Sequence, residues 1–161
     1  MINLKTTIID NLKIDKFLKS VKDTYEGKIG ILGSQASAQH GTTGLTNAAI
    51  GLNHELGSIS RNIPMRSFLR MPINKEKKNI FDLCRKTLLS QLNSGIVDLK
   101  KTMTMMCVKA LEASSNAFLT QGFGMWKPLK ESTIKRKGND VPLVDTRQLI
   151  RSRSFKVDKI K

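Results

Sequence analysis

Apolar residues recur at three- and four-residue steps in several stretches of the chain, and this spacing places them on one face of an α-helix. Helices are therefore predicted over 6–25, 46–56, 75–93 and 96–120, with a further short helix over 143–150. Glycine-containing positions follow the first four and are predicted to end them: Gly27, Gly57, 93–95 and 121–124. The stretch 96–120 is long enough to be the principal helix of the fold.

Two short segments near opposite ends of the chain carry strand patterns instead. Residues 28–33 are apolar and bounded by glycines, which favours a buried strand, whereas residues 151–158 alternate with period two like a solvent-facing strand. Between the helices, residues 58–72 are predicted to be irregular or extended, because Pro64 and Pro72 each bias the preceding residue away from helix.

The segment 34–44 contains no large apolar side chain, so burying it would offset little of its ordering entropy, and we expect a flexible loop there. A chain of 161 residues is suited to one domain, 1–161. The predicted fold class is α+β, a small, mostly antiparallel β-sheet packed against long helices. Segments 28–33 and 151–158 are expected to share that sheet and to pack against the helix near 96–120.

Charge adds a second kind of information. The chain has 28 Lys and Arg against 13 Asp and Glu, a formal charge of +15, which favours association with an acidic partner such as nucleic acid, an anionic surface or an acidic protein. Residues 125–161 alone hold 11 basic and 4 acidic residues, so the excess is concentrated at the C-terminal end.

Membrane insertion and secretion are not expected. No stretch approaches the ~20 consecutive apolar residues of a membrane-spanning helix. The N-terminal residues alternate charged with apolar side chains and lack the pattern of a signal peptide. Cys84 and Cys107 lie in predicted helices without metal-ligand spacing, and we interpret them as reduced core thiols.

Catalytic and cofactor motifs are weak. The pair His54-Glu55 lacks the second His of a zinc-protease motif, since position 58 is Ser, and the glycines between 27 and 44 are not followed by a Gly-Lys-Ser/Thr sequence. No Ser/His/Asp constellation is evident either. We therefore expect no enzyme activity, no metal and no cofactor.

Two blocks of sequence point to a family. The first is His54-Glu-Leu-Gly57 followed by Ile63-Pro-Met-Arg-Ser-Phe-Leu-Arg70. The second is Trp126-Lys-Pro-Leu-Lys-Glu-Ser-Thr-Ile-Lys-Arg-Lys-Gly138 with Pro142-Leu-Val-Asp-Thr-Arg-Gln-Leu149. Together they resemble the signatures of small tailed-phage neck proteins, the tail-completion and tail-terminator proteins of the Mu-type virion-morphogenesis group and related head–tail joining families. Leu56 replaces the usual aromatic residue of that pattern, and Arg147 replaces a Gly.

The resemblance implies a non-catalytic virion subunit at the head-proximal end of the tail, assembled in the host cytoplasm as a homo-oligomeric ring, commonly a hexamer. The partners it implies are further copies of the chain, the tail tube protein and the head–tail connector or other neck proteins, with DNA in the lumen as an additional candidate. Terminator and completion roles both stay open. The candidate interface residues are Glu55, Arg66, Phe68, Arg70, Lys130, Lys135, Arg136, Lys137 and Arg147.

Two expectations attach to these residues. In the first block, Phe68 should bury its ring while Arg66 and Arg70 pair with carboxylates within or between subunits, and a well-packed loop with solvated arginines is the alternative. In the second, Trp126 and the neighbouring apolar residues should fasten the segment 126–138, while Lys130, Lys135, Arg136 and Lys137 face outward toward an acidic surface or DNA. A solvated charge run, or a basic nucleic-acid-binding regulator, is the alternative interpretation of the same lysines and arginines.

Overall fold

The computed structural model describes Asp15 and residues 18–160 of the chain. The fold is α+β. Its sheet has two antiparallel strands, β1 (Tyr25–Ile31) and β2 (Arg153–Lys159), in a register that runs from Tyr25 opposite Lys159 to Ile31 opposite Arg153. The sheet therefore joins the two ends of the described chain.

The helices follow in sequence between the strands. Their bounds are α1 (Ser34–Ser37), α2 (Asn47–Leu56), α3 (Arg70–Lys75), α4 (Lys77–Ser94), α5 (Leu99–Leu119), α6 (Glu131–Lys137) and α7 (Gln148–Arg151). Helix α5 packs against both strands and against α3 and α4. The predicted sheet of the N- and C-terminal segments, resting on the long helix, is thus confirmed.

The predicted ends at Gly57 and at 93–95 are confirmed, and the structure adds Asp98 as a cap that was not predicted. The Thr46 side chain caps α2 by accepting a hydrogen bond from Ala49 N at 3.2 Å, and Gly57 follows the helix with φ 76°. Asp98 caps α5 in the same way through Lys101 N at 2.8 Å. Gly95, in the left-handed conformation, ends α4.

Strand β1 begins earlier than predicted, and Gly27 lies inside it rather than ending a helix. A Cβ atom at Gly27 would lie 2.5 Å from the Cys107 Sγ and 3.0 Å from the Met103 Sδ of α5. Glycine is needed here because it lets the strand approach the helix closely. Of the predicted helix over 6–25, residues 6–14 and 16–17 lie outside the described residues, and Tyr25 belongs to the strand.

The segment 58–72 is not irregular throughout, because α3 starts at Arg70 and includes Pro72. Proline is tolerated there because the first-turn N–H groups of a helix have no partner within the helix. The predicted helix over 143–150 is also shorter than expected. Only α7 forms, because Leu143 and Arg147 both adopt a positive φ, of 61° and 62° respectively.

The segment 34–44 contains α1, and an isolated bridge pairs Gln39 with Thr46 just beyond it. The Gln148 side chain of α7 also binds this segment, since its Nε2 donates to Gln39 O at 2.6 Å and its Oε1 accepts from Gly41 N at 3.1 Å. The expected flexibility of this loop stays a prediction.

Arg147 gives a direct test of backbone strain. With φ 62° and ψ 10° it occupies the left-handed region, which costs a residue with a Cβ roughly 1 kcal/mol. We expect Arg147→Gly to raise the unfolding free energy by about 0.5–1 kcal/mol in urea denaturation. Arg136→Gly, inside helix α6, is the matched control and should lower it by a similar amount. A loss of stability in Arg147→Gly would show that the Arg147 side chain contributes more than its backbone costs.

Candidate interaction site

The carboxylate of Glu55, in the last turn of α2, holds the chain that leads into α3. Its Oε1 accepts hydrogen bonds from Ser67 Oγ at 2.6 Å and Arg70 N at 2.9 Å. Its Oε2 accepts from Phe68 N at 2.8 Å and Leu69 N at 3.0 Å. Four donors therefore converge on one carboxylate at the N-terminus of a helix, where a negative charge is favourable. We call this arrangement the Glu55 anchor.

The anchor joins the two halves of the first sequence block. The half around Glu55 supplies the acceptor, and the half from Arg66 to Arg70 supplies the donors. Ser67 Oγ also accepts from Met71 N at 2.9 Å, so the hydroxyl and the carboxylate together satisfy four consecutive N–H groups that α3 leaves without helical partners.

Arg66 links the first block to the second, but not in the way predicted. Its Nε and Nη2 donate to Lys127 O at 3.0 and 2.8 Å, and Nη2 also reaches Pro128 O at 3.3 Å. No ion pair between Arg66 and a carboxylate is present in the described part of the chain, so the expected pairing within the subunit is wrong for this residue. Carbonyls suffice because a guanidinium presents several donors to neighbouring acceptors.

The two blocks also meet through the core. Phe68 is 0% exposed, and its ring lies 5.3 Å from that of Phe118, which in turn meets Trp126 edge-on at 5.7 Å. Trp126 Nε1 donates to Ser67 O at 3.3 Å. The predicted burial of Phe68 and fastening by Trp126 are confirmed, and the aromatic contacts are of the favourable offset or edge-on kind.

A buried arginine on β2 was missed by the sequence analysis, which expected a solvent-facing strand. Arg153 is 9% exposed, and its guanidinium donates to Ser114 Oγ at 2.5 Å, Ser115 Oγ at 3.2 Å and Ile150 O at 3.1 Å. Burial lowers the pKa of Arg153 to about 10. The guanidinium also lies 4.7 Å from the centre of the Phe118 ring. The one sequence signal that could have predicted this role is the position of Arg153 at the start of β2, the end of the strand that meets the core.

His54 precedes Glu55 on α2 and is surrounded by cationic side chains. Its Nδ1 is buried and has no hydrogen-bond partner among the residues that the structure describes. Burial, followed by the charges of Arg66, His40 and Lys137, lowers the pKa of His54 from 6.5 to about 4. The imidazole is therefore neutral at physiological pH.

This depressed pKa predicts a stability change with pH. The unfolded chain binds a proton at His54 more readily than the folded chain, so the contribution is complete above pH 6.5 and is lost as the pH falls toward 4. We expect the loss to be at most about 3 kcal/mol, discounted for the remaining solvent access. Denaturation from pH 7 to 4 measures it, and His54→Gln should flatten the profile. An NMR titration giving His54 a pKa near 6.5 would contradict the expectation.

The basic candidates of the second block do not all face solvent. Lys130, Lys135 and Arg136 are exposed, and none forms an ion pair within residues 18–160. Lys137 is half-buried, because its Nζ donates to Val141 O at the turn after α6, and burial lowers its pKa. The prediction that Lys137 faces outward is therefore wrong, because its ammonium group binds a backbone carbonyl at the turn after α6.

The structure thus brings Glu55, Arg66, Phe68 and the backbone of Arg70 into one cluster, while the exposed charges lie on separate elements. The Arg70 side chain is exposed and forms no ion pair in the described residues, so its predicted carboxylate partner is absent there. Arg147 is exposed at the start of α7.

The cysteines, the candidate metal ligands and the helix lengths can each be described for residues 18–160. Cys84 and Cys107 are free thiols, the first half-buried and the second buried. Among the described residues, no three His, Cys, Asp or Glu side chains are grouped as metal ligands. Within the same residues, no helix combines the length and apolar character needed to cross a membrane.

Comparison with protein-family models, with curated proteins and with solved structures finds no match for this chain.

Proposed function

We propose that the chain is a non-enzymatic structural subunit of a tailed-phage virion, forming a homo-oligomeric ring at the head-proximal end of the tail and joining tail to head as a terminator or completion protein. The observation that carries the proposal is the contact between the two blocks that resemble the neck-protein signatures. Arg66 of the first block binds the carbonyls of Lys127 and Pro128 in the second, and Trp126 Nε1 binds Ser67 O.

This contact supports the resemblance because motif residues that matter to one fold should have structural roles that depend on one another. Glu55 holds the loop, the loop places Arg66, and Arg66 holds the entry to α6. The excess of positive charge agrees with a ring that surrounds DNA or docks onto an acidic neighbour.

Light scattering coupled to size-exclusion chromatography tests the ring. We expect a closed oligomer, commonly a hexamer, at micromolar concentration, and labelling of the protein in purified virions should appear by electron microscopy at the junction of head and tail. A chain that stays monomeric, even with tail tubes added, would overturn the proposal.

The second candidate, a basic nucleic-acid-binding regulator, is favoured by Lys130, Lys135 and Arg136, which are exposed and form no ion pair with any residue that the structure describes. It requires that the protein bind duplex DNA with a dissociation constant of ~10⁻⁴ to 10⁻⁶ M or lower at physiological salt, and that the affinity fall steeply as the salt concentration rises. Titration of duplex DNA across salt concentrations separates the two functions.

Charge reversal on α6 tests docking. Lys135→Glu combined with Arg136→Glu should leave the melting temperature nearly unchanged, because both side chains are exposed, yet should reduce head–tail joining in an in vitro complementation assay. Lys86→Glu combined with Lys78→Glu, at exposed positions of α4, is the control for net charge. Equal joining by all three proteins would identify the α6 charges as a solvated face only. Lys137 is left intact because it closes a turn.

A further inference from the structure

A short hairpin after α2 presents one aliphatic side chain to solvent. Ser58 and Ile63 exchange two backbone hydrogen bonds of 2.8 Å, and Asn62 N donates to Ile59 O at 3.0 Å to close the turn between them. Ile59 is 101% exposed at this turn. A fully exposed isoleucine on a hydrogen-bonded turn gains nothing from the fold of its own chain.

Hydrogen bonds hold the chain on the C-terminal side of the hairpin. Arg66 N donates to His54 O at 2.7 Å behind it, and the Glu55 anchor fixes the chain that leaves it. Apolar side chains on the same part of the molecule are also exposed, namely Leu52 and Leu56 one turn apart on α2 and Met65 beside Gly57. We call Leu52, Leu56, Ile59 and Met65 the knob surface. A preformed surface loses little conformational entropy when it binds.

A groove of complementary character lies between α5 and β2. Its volume is about 290 Å³ and it is open to solvent. It is lined by Val108, Leu111, Glu112, Ser115, Asn116 and Phe155. Val108 is 41% exposed, so the apolar floor of the groove is accessible.

The hairpin and the groove carry charged side chains of opposite sign. Arg61 is exposed two residues after Ile59 and forms no ion pair in the described part of the chain. Glu112 lines the groove, and among the described residues its ion-pair partner is Lys109, at 3.0 Å in an exposed pair. Such surface pairs contribute little, so Glu112 can exchange Lys109 for a better-placed cation.

We propose that the knob surface of one copy of the chain docks into the α5–β2 groove of a second copy, with Ile59 in the groove and Arg61 against Glu112. The two surfaces differ, so the contact is heterologous and its repetition builds a ring if the rotation closes. The inference rests on the proposed function, and it names the two faces through which that ring assembles.

The test uses the full-length chain and measures mass by light scattering. Wild type should assemble, and Ile59→Asp and Val108→Asp should each shift the protein to the 18.0 kDa monomer with an unchanged thermal melt. Leu89→Asp, at an exposed apolar position of α4 outside both surfaces, is the matched control and should assemble like wild type.

Mixing the two variants distinguishes this contact from a self-complementary one. Ile59→Asp keeps an intact groove and Val108→Asp keeps an intact knob, so the mixture should form a heterodimer and nothing larger. Arg61→Glu and Glu112→Lys should each weaken assembly by about tenfold, and the double variant should recover most of it.

The outcomes separate the two proposals. Assembly of wild type together with unchanged mass in Ile59→Asp and Val108→Asp would overturn the knob–groove contact and leave the ring standing. Variants that assemble normally but lose tail-tube binding would assign the knob to a different protein and also overturn it. A monomeric wild type would overturn both.

Discussion

Glu55→Ala should lower the unfolding free energy by roughly 3 kcal/mol. The substitution leaves three backbone N–H groups and the Ser67 hydroxyl without their acceptor, and each unsatisfied, partly buried donor costs about 1–3 kcal/mol where water cannot replace the lost partner. Urea denaturation at pH 7 measures the loss. Glu55→Gln keeps an acceptor oxygen but turns an NH₂ group toward N–H donors, so an intermediate loss is expected.

Glu131→Ala is the matched control for this experiment. Glu131 is an exposed glutamate in the first turn of α6 with no ion pair in the described residues. Its replacement by Ala should change the unfolding free energy by no more than about 0.5 kcal/mol. Equal stability of Glu55→Ala and Glu131→Ala would show that the Glu55 carboxylate is not a structural anchor. A loss confined to Glu55→Ala should be accompanied by faster amide exchange at Phe68, Leu69 and Arg70.

Phe68→Ala should lower the unfolding free energy by roughly 3–5 kcal/mol, because it opens a cavity in the centre of the aromatic core. The ring of Phe68 contacts that of Phe118, and the backbone O of Phe68 accepts a hydrogen bond from Ser114 Oγ at 2.5 Å. The backbone bond survives the substitution, so the effect reports the side chain. Urea or thermal denaturation measures it.

Phe81→Ala provides the comparison, since Phe81 is 54% exposed on α4 and the same truncation should cost much less, about 1 kcal/mol. A loss below ~1 kcal/mol in Phe68→Ala would show that Phe68 is not a core residue, because even a core that closes around the gap loses the transfer free energy of the ring. The difference between the two variants, rather than either value alone, measures what burial of Phe68 contributes.

Stability and assembly are linked through the same segment. The Glu55 anchor and the Arg66 contacts fix residues 63–70, and these in turn support the hairpin that presents Ile59. A variant that loosens the anchor is therefore expected to weaken assembly even though Glu55 itself is half-buried. Assembly measurements on Glu55→Ala must be made below its melting temperature, so that loss of the contact is separated from loss of the fold.

The sequence by itself determined the longer helices and the two strands, with their approximate ends, but not the short helices α1 and α3. The 3.6-residue period located α2, α4 and α5. Thr46 begins α2 and Gly95 ends α4, and both signals lie next to the helix end that they determine. A hydrophobic pattern also located the two end strands, because it reports which face of an element avoids water, whereas the burial of Phe68 was expected from its place in the first sequence block.

The tertiary structure alone decided which polar groups meet. Arg66 binds carbonyls 61 and 62 residues away, and Arg153 binds Ser114 39 residues away, so neither partner is encoded near the arginine. Helix α3 forms through Pro72 because a carboxylate from α2 supplies its N-terminal acceptor. Periodicity and propensity describe a residue's own neighbourhood, whereas hydrogen-bond partners depend on how folded elements approach one another, and that approach is fixed only when the whole core packs.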